Sequence, residues 1–162
     1  MRSSLGIDIA APPELVFALA RDVTRWDRVL PHYARSRLVR RDGDVRVCDF
    51  IARRPLLPLL GLGLPVAWRS RTWDEPVTCR LRFVHIAGAT RGMDVTWTIE
   101  PHGDGCRVEI THAFAPAVPL FAALVDGFFT RPIAGRTLST FKALAEALAE
   151  TSVSPPSTKR SS

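Results

Sequence analysis

The chain is 162 residues long, 46% hydrophobic and 23% charged, which is the size and balance of one ordinary globular domain with enough length to bury a core. The net charge is +6, and 20 of the 22 basic residues are arginine; these are scattered among Asp and Glu, with no recognition-helix or aromatic ribonucleoprotein motif, which argues against a nucleic-acid partner. Residues 1–15 lack the apolar run of a secretory signal, and the most apolar stretch, Pro55 to Trp68, is too short and too rich in Pro and Gly to span a bilayer, so a cytoplasmic location is expected.

Ser3 to Ile9 alternates, with Leu5, Ile7 and Ile9 on one side, and reads as a half-buried strand. Ala11-Pro12-Pro13-Glu14 then opens a helix, with Pro in its first turn and Glu near the positive end of its dipole. Leu15, Val16, Leu19 and Val23 form its apolar stripe. A second short helix is expected over Thr24 to Leu30, with Thr24 as cap and Asp27 completing a capping box, ended by Pro31. Strands follow at Arg35 to Arg41, Val45 to Arg53, Ala67 to Trp73, Thr78 to Ile86, Gly92 to Glu100 and Gly105 to Phe114. The turn signals Asp42-Gly43, Asp74-Glu75-Pro76 and His102-Gly103-Asp104 make adjacent strands antiparallel. From Val118 to Glu150 the period becomes helical. Pro132 divides this region into a short helix and a longer one, whose apolar face is Ala134, Leu138, Phe141, Ala145 and Leu148. The first 150 residues read as one domain, and 151–162, rich in Ser, Thr and Pro, as a disordered tail. Cys48, Cys79 and Cys106 fall in strand-like runs with no Cys-x-x-Cys and no zinc spacing. They read as reduced, buried thiols, and neither a metal nor a cofactor is expected.

Three stretches resemble the START-like, or helix-grip (SRPBCC), superfamily, in its polyketide cyclase/dehydrase and coenzyme-Q-binding branches. They are Ile7 to Phe17, Asp22-Val23-Thr24-Arg25-Trp26 followed by Leu30-Pro31, and Thr137 to Leu144. The resemblance covers about residues 3–149 and implies an α+β helix-grip fold. In that fold a curved antiparallel sheet of about seven strands wraps around a long C-terminal helix, and two short helices follow strand 1. It also implies a cavity between sheet and helix that takes a lipid, an isoprenoid or quinone, or a polyketide-like molecule. Some members cyclise or dehydrate polyketides there, and many only carry a ligand. Aromatase/cyclases of this group place a Trp, a Ser and an Arg at alternate positions of a cavity strand. Trp68 and Ser70 match, but Thr72 stands where Arg is expected.

Strand parity then assigns the inner wall. Trp68, Ser70 and Thr72 face inward on one strand, and Cys79, Leu81, Phe83 and His85 on the next. Met93, Val95, Trp97 and Ile99, and then Cys106, Val108, Ile110, His112 and Phe114, complete it. Arg69 and Arg71 point outward unless the register slips by one residue, which would turn them inward to meet a carboxylate or enolate. The strand Val45 to Arg53 has no clear parity, so Asp49 faces in under only one of two registers. His85 and His112 fit either acid/base groups or hydrogen-bonded core histidines, with no clearly inward carboxylate on the strands beside them. Ser70, His85 and His112 are therefore the catalytic candidates. Trp68, Ser70, Thr72, Leu81, Phe83, His85, Met93, Val95, Trp97, Val108, Ile110, His112 and Phe141 are the candidate ligand contacts. His32 and Tyr33 read as cavity-mouth or surface residues. The uncharged stretch 55–65, preceded by Arg53 and Arg54, reads as a lid, as a tip making transient membrane contact, or as a segment folded on its own domain or a dimer partner. A monomer or a homodimer is expected, with an apolar small molecule as partner.

Overall fold

A computed structural model describes residues 1–57, 62–116 and 124–153. The sheet contains β1 (Arg2–Ile9), β2 (Tyr33–Asp42), β3 (Val45–Leu57), β4 (Leu62–Glu75), β5 (Arg80–Gly88), β6 (Asp94–His102) and β7 (Gly105–Ala113). Their order is β1-β7-β6-β5-β4-β3-β2, with every neighbouring pair antiparallel. Register shifts in β2, between β3 and β4, and between Arg69 and Ser70 bend the ladder, as extra unpaired residues do, and the sheet curves around its apolar face. The expected α+β helix-grip architecture is the one observed.

Between β1 and β2 the chain forms α1 (Pro13–Arg21), a three-residue 3-10 turn (Val23–Arg25) and α2 (Trp26–Val29). Thr24 does not cap. Its hydroxyl donates to Asp22 Oδ1 at 2.7 Å, and the expected single helix over 24–30 becomes a tight turn followed by one α turn. Cys79 lies outside β5 in the left-handed region (φ 46°), closing the 3-10 turn Pro76–Thr78, and is only half buried. Cys48 and Cys106 are buried free thiols.

The long helix α3 (Arg131–Val153) follows a π turn at Asp126–Thr130. Pro132 has no N–H to give to a helical ladder, and the wider turn precedes it, with the Arg131 N–H reaching back to the Asp126 carbonyl. Ala134, Leu138, Phe141 and Ala145 are buried as the periodicity requires, whereas Leu148 is exposed where the helix runs past the sheet. The helix continues to Val153, so residues 151–153 are helical rather than tail; the rest of the expected tail lies outside the described residues. Much of the stretch 55–65 is likewise ladder, with Pro55 paired to Gly63 and Leu57 to Leu62; its tip, 58–61, lies outside the described residues. No helix among the described residues is long and apolar enough to cross a membrane.

One glycine positions a site residue. Gly88 pairs with Trp68 at φ +93°, and a Cβ there would sit 2.3 Å from the Ala67 carbonyl oxygen, so only glycine lets β4 and β5 approach behind the Trp68 ring.

The core centres on Trp26. Its ring meets Tyr33, Phe50, Phe83, Trp97 and Phe141 at centroid distances of 5.4–6.0 Å, and its indole N–H donates to the Ala20 carbonyl at 3.0 Å. Trp26→Ala is expected to cost about 3–5 kcal/mol, from lost burial plus the cavity left behind. Urea unfolding monitored by far-ultraviolet circular dichroism measures this; a loss under about 1 kcal/mol would mean the ring is peripheral to stability.

Candidate functional site

A cavity of about 80 Å³ lies between the concave face of the sheet and α3. Trp26, Tyr33, Phe50, Trp68, Phe83 and Trp97 supply aromatic walls, Met93, Val95 and Ile110 the apolar sheet floor, and Thr130, Ile133, Ala134 and Thr137 the helical side. The last four recur at i, i+3, i+4 and i+7, which is one helix stripe.

Trp68, Phe83, His85, Met93, Val95, Trp97, Ile110 and His112 line the cavity. Ser70, Thr72, Leu81, Val108 and Phe141 also point inward but are fully buried in the surrounding core and do not reach the void. Ser70 Oγ has no hydrogen-bond partner, so this candidate nucleophile has neither cavity access nor a base. Arg69 and Arg71 are exposed and face outward. Arg69 grips Asp49 with two bonds, at 2.6 and 2.9 Å, which settles the register against the slipped alternative and places Asp49 outward too. The hydrogen bonds from Arg69 hold the Asp49 carboxyl below its usual range.

The polar groups form two ends. At one, His85 Nδ1 bonds the Thr90 hydroxyl at 2.6 Å, and His112 Nδ1 is buried with no partner. Thr90 comes from the β5–β6 turn and Thr130 from the π turn, and strand alternation signals neither. Asp126 stands near His112, held by the Ser3 hydroxyl at 2.7 Å and Arg131 at 2.9 Å. The carboxylate missing from the strands thus comes from the π turn. At the other end Thr137 donates to the Ile133 carbonyl at 2.9 Å, so its 2.9 Å bond with His32 Nε2 is one it accepts, and the Tyr33 hydroxyl also lies against it. His32 and Tyr33 are buried, not surface residues; Tyr33 lines the cavity and His32 supports Thr137 from behind.

Burial dominates the electrostatics. It pushes His85 down to about 3, helped by neighbouring His112. It pushes His112 down to about 4, with the Asp126 carboxylate opposing and Arg131 adding to the shift. His32 is pushed down to about 4 by burial and then by the charge of Arg136. All three imidazoles are neutral near pH 7. Among the described residues no group of three or more His, Cys, Asp or Glu side chains is arranged to hold a metal ion.

The profile of the family described as "Polyketide cyclase / dehydrase and lipid transport" matches residues 2–152. The chain belongs to this family. Among relatives in the polyketide cyclase/dehydrase and lipid-transport family, the granaticin polyketide synthase bifunctional cyclase/dehydratase of Streptomyces violaceoruber is 32% identical over 151 residues, covering 90% of this chain and 44% of the relative. This chain therefore spans less than half the length of that protein. A putative polyketide cyclase of Streptomyces cyaneus is 31% identical over 67% of this chain and 69% of its own length. The crystal structure of the Zhui aromatase/cyclase from Streptomyces sp. R1128 superposes with a TM-score of 0.79 over 96% of this chain and 99% of that one; at 14% identity this likeness concerns the fold.

The buried imidazoles fix a pH dependence. In the unfolded chain each histidine takes up its proton near pH 6.5, but the folded state refuses it until about pH 3–4. Their stabilising contribution is complete above about pH 6.5 and is lost progressively down to about pH 3. Guanidinium midpoints are expected to fall over that window, and the His85→Gln/His112→Gln variant to show a shallower fall. An unchanged slope in the double variant would mean that carboxylates set the acid limb.

Proposed function

We propose that this chain binds an apolar small molecule, a lipid, an isoprenoid or quinone, or a polyketide-like compound, in the cavity between sheet and α3. The observation that carries this reading is an aromatic-lined void between the sheet and α3, with the side chains of His85 and His112 at one end. Native interiors seldom leave such a void without a use. Known small-molecule pockets run to roughly 300–1,000 Å³, so a ligand of more than a few atoms enters only as side chains on the helical side give way.

A second reading, cyclisation or dehydration of a polyketide, is favoured by the two streptomycete relatives and by Trp68 on the cavity wall. The proton inventory supports binding first. Ser70 is sealed off, the strand arginines face outward, and the two cavity imidazoles titrate far below the neutral range where a general base works best. The uncharged stretch 55–65, with the exposed Arg53 at its foot, supports a transient contact with a membrane that supplies or receives the ligand.

Native mass spectrometry of freshly purified protein is expected to show an added small-molecule mass that organic extraction removes. Ala134→Phe, which fills the void from the helical side, is expected to abolish that mass while the circular dichroism spectrum and cooperative melting persist. Retention of the same mass by folded Ala134→Phe protein would place the ligand elsewhere.

A further inference from the structure

We propose that the cavity selects an uncharged ligand that presents one hydrogen-bonding oxygen to the His85–His112 end, and that it rejects free carboxylic acids. This rests on the binding reading above and narrows it to a ligand class.

The first support is the distribution of charge. Among the described residues no Asp, Glu, Lys or Arg lines the cavity. Outside that lining, Asp126 is bonded to Ser3 and Arg131 and Arg54 lies over the Phe128 ring at 3.7 Å, while the charges of Arg131 and Arg136 act on His112 and His32 from behind the wall. A carboxylate entering this void would leave water without meeting a cation, and such a burial is opposed by several kcal/mol. The neutral imidazoles do not replace the missing cation.

The second support is the difference between the two polar ends. Thr137 has its proton on the Ile133 carbonyl and its lone pairs toward His32 and Tyr33, so that end is satisfied within the protein. At the opposite end two imidazoles, His85 and His112, line the cavity, and the one side-chain bond given to His85 is that of its Nδ1 with Thr90. A ligand carbonyl or hydroxyl that bonds an imidazole nitrogen at this end keeps the hydrogen bond it would otherwise lose on leaving water. A neutral imidazole offers one donor and one acceptor, so either oxygen type is accommodated. The third support concerns shape. Phe50, Trp68 and His85 form a stack with interplanar angles of 20° and 22°, so the polar end closes a row of parallel ring faces, which favours a planar ligand.

The test uses naphthalene, 2-naphthol and 2-naphthoate as probes, titrated at pH 7 against the full chain by tryptophan fluorescence. Naphthol is expected to bind about tenfold tighter than naphthalene, the value of one recovered hydrogen bond, and naphthoate about a hundredfold weaker than naphthol. In His112→Leu the naphthol advantage is expected to vanish while naphthalene binding holds or tightens. Naphthoate binding as well as naphthol overturns the charge selection. Naphthol and naphthalene binding alike in the wild type, a result that needs no variant to fold, overturns the role of the His112 end. Failure of all three probes to bind overturns the binding reading itself, and this inference with it.

Discussion

Trp26 holds the domain's layers to one another. It is the first residue of a four-residue helix, too short to be stable alone, yet its ring touches β2, β3, β5, β6 and α3 through one aromatic side chain from each. A bare hydrophobic contact would leave the indole N–H buried and unpaired. Its bond to the Ala20 carbonyl, at the end of α1, removes that cost and ties the two short helices together. The cavity is what remains beside this cluster. Trp26, Tyr33, Phe50, Phe83 and Trp97 are both core and cavity wall, so the site and the stability of the fold draw on the same rings.

That sharing explains which parts of the site were legible in the sequence. Alternation on β4 to β7 gave the inward face, because a strand buried on one side must repeat every second residue. It could not give depth. Ser70, Thr72, Leu81 and Val108 obey the same parity as His85 and Val95, but the packing of the rest of the fold decides which inward residues meet open space. Residues that leave the strand pattern were invisible to it. Thr90 belongs to a turn that folds back over His85, and Asp126 and Thr130 belong to a π turn whose geometry answers to Pro132. The strand Val45 to Arg53 was ambiguous for a physical reason as well. Arg46, Val47 and Cys48 are all buried in succession, because Arg46 spans to Asp74 and the Arg21 carbonyl and shields its neighbours.

The arginines show how a basic chain keeps an uncharged interior. On β4, Arg69 and Arg71 alternate with Trp68, Ser70 and Thr72, so a single pleat separates the cationic outer surface from the apolar inner one. The Arg69–Asp49 fork fixes this sense across two strands. Slipping the register by one would bury guanidinium groups in a site with no anion and expose Trp68, and both changes are unfavourable. The departure from the Trp-Ser-Arg arrangement at Thr72 has the same consequence, since it leaves that inward position neutral and fully buried.

The two walls of the cavity differ in how far they can give. The sheet wall is a continuous backbone ladder from β1 to β2, and widening it breaks hydrogen bonds cooperatively. The helical wall is held differently. Its first turn is π-helical, and it is fastened to β1 by the Ser3–Asp126 bond and to β3 by the Arg54–Phe128 stack, both side-chain contacts of modest individual strength. Thr130 sits in that turn and lines the cavity, while Asp126 faces His112 from the same turn. A ligand too large for about 80 Å³ therefore meets least resistance where the π turn packs, at the end that also carries the unpaired imidazole nitrogen. The polar end and the yielding wall coincide because strand alternation on β5 and β7 brings His85 and His112 to the place where the π turn, just ahead of Pro132, packs Asp126 and Thr130 against the sheet.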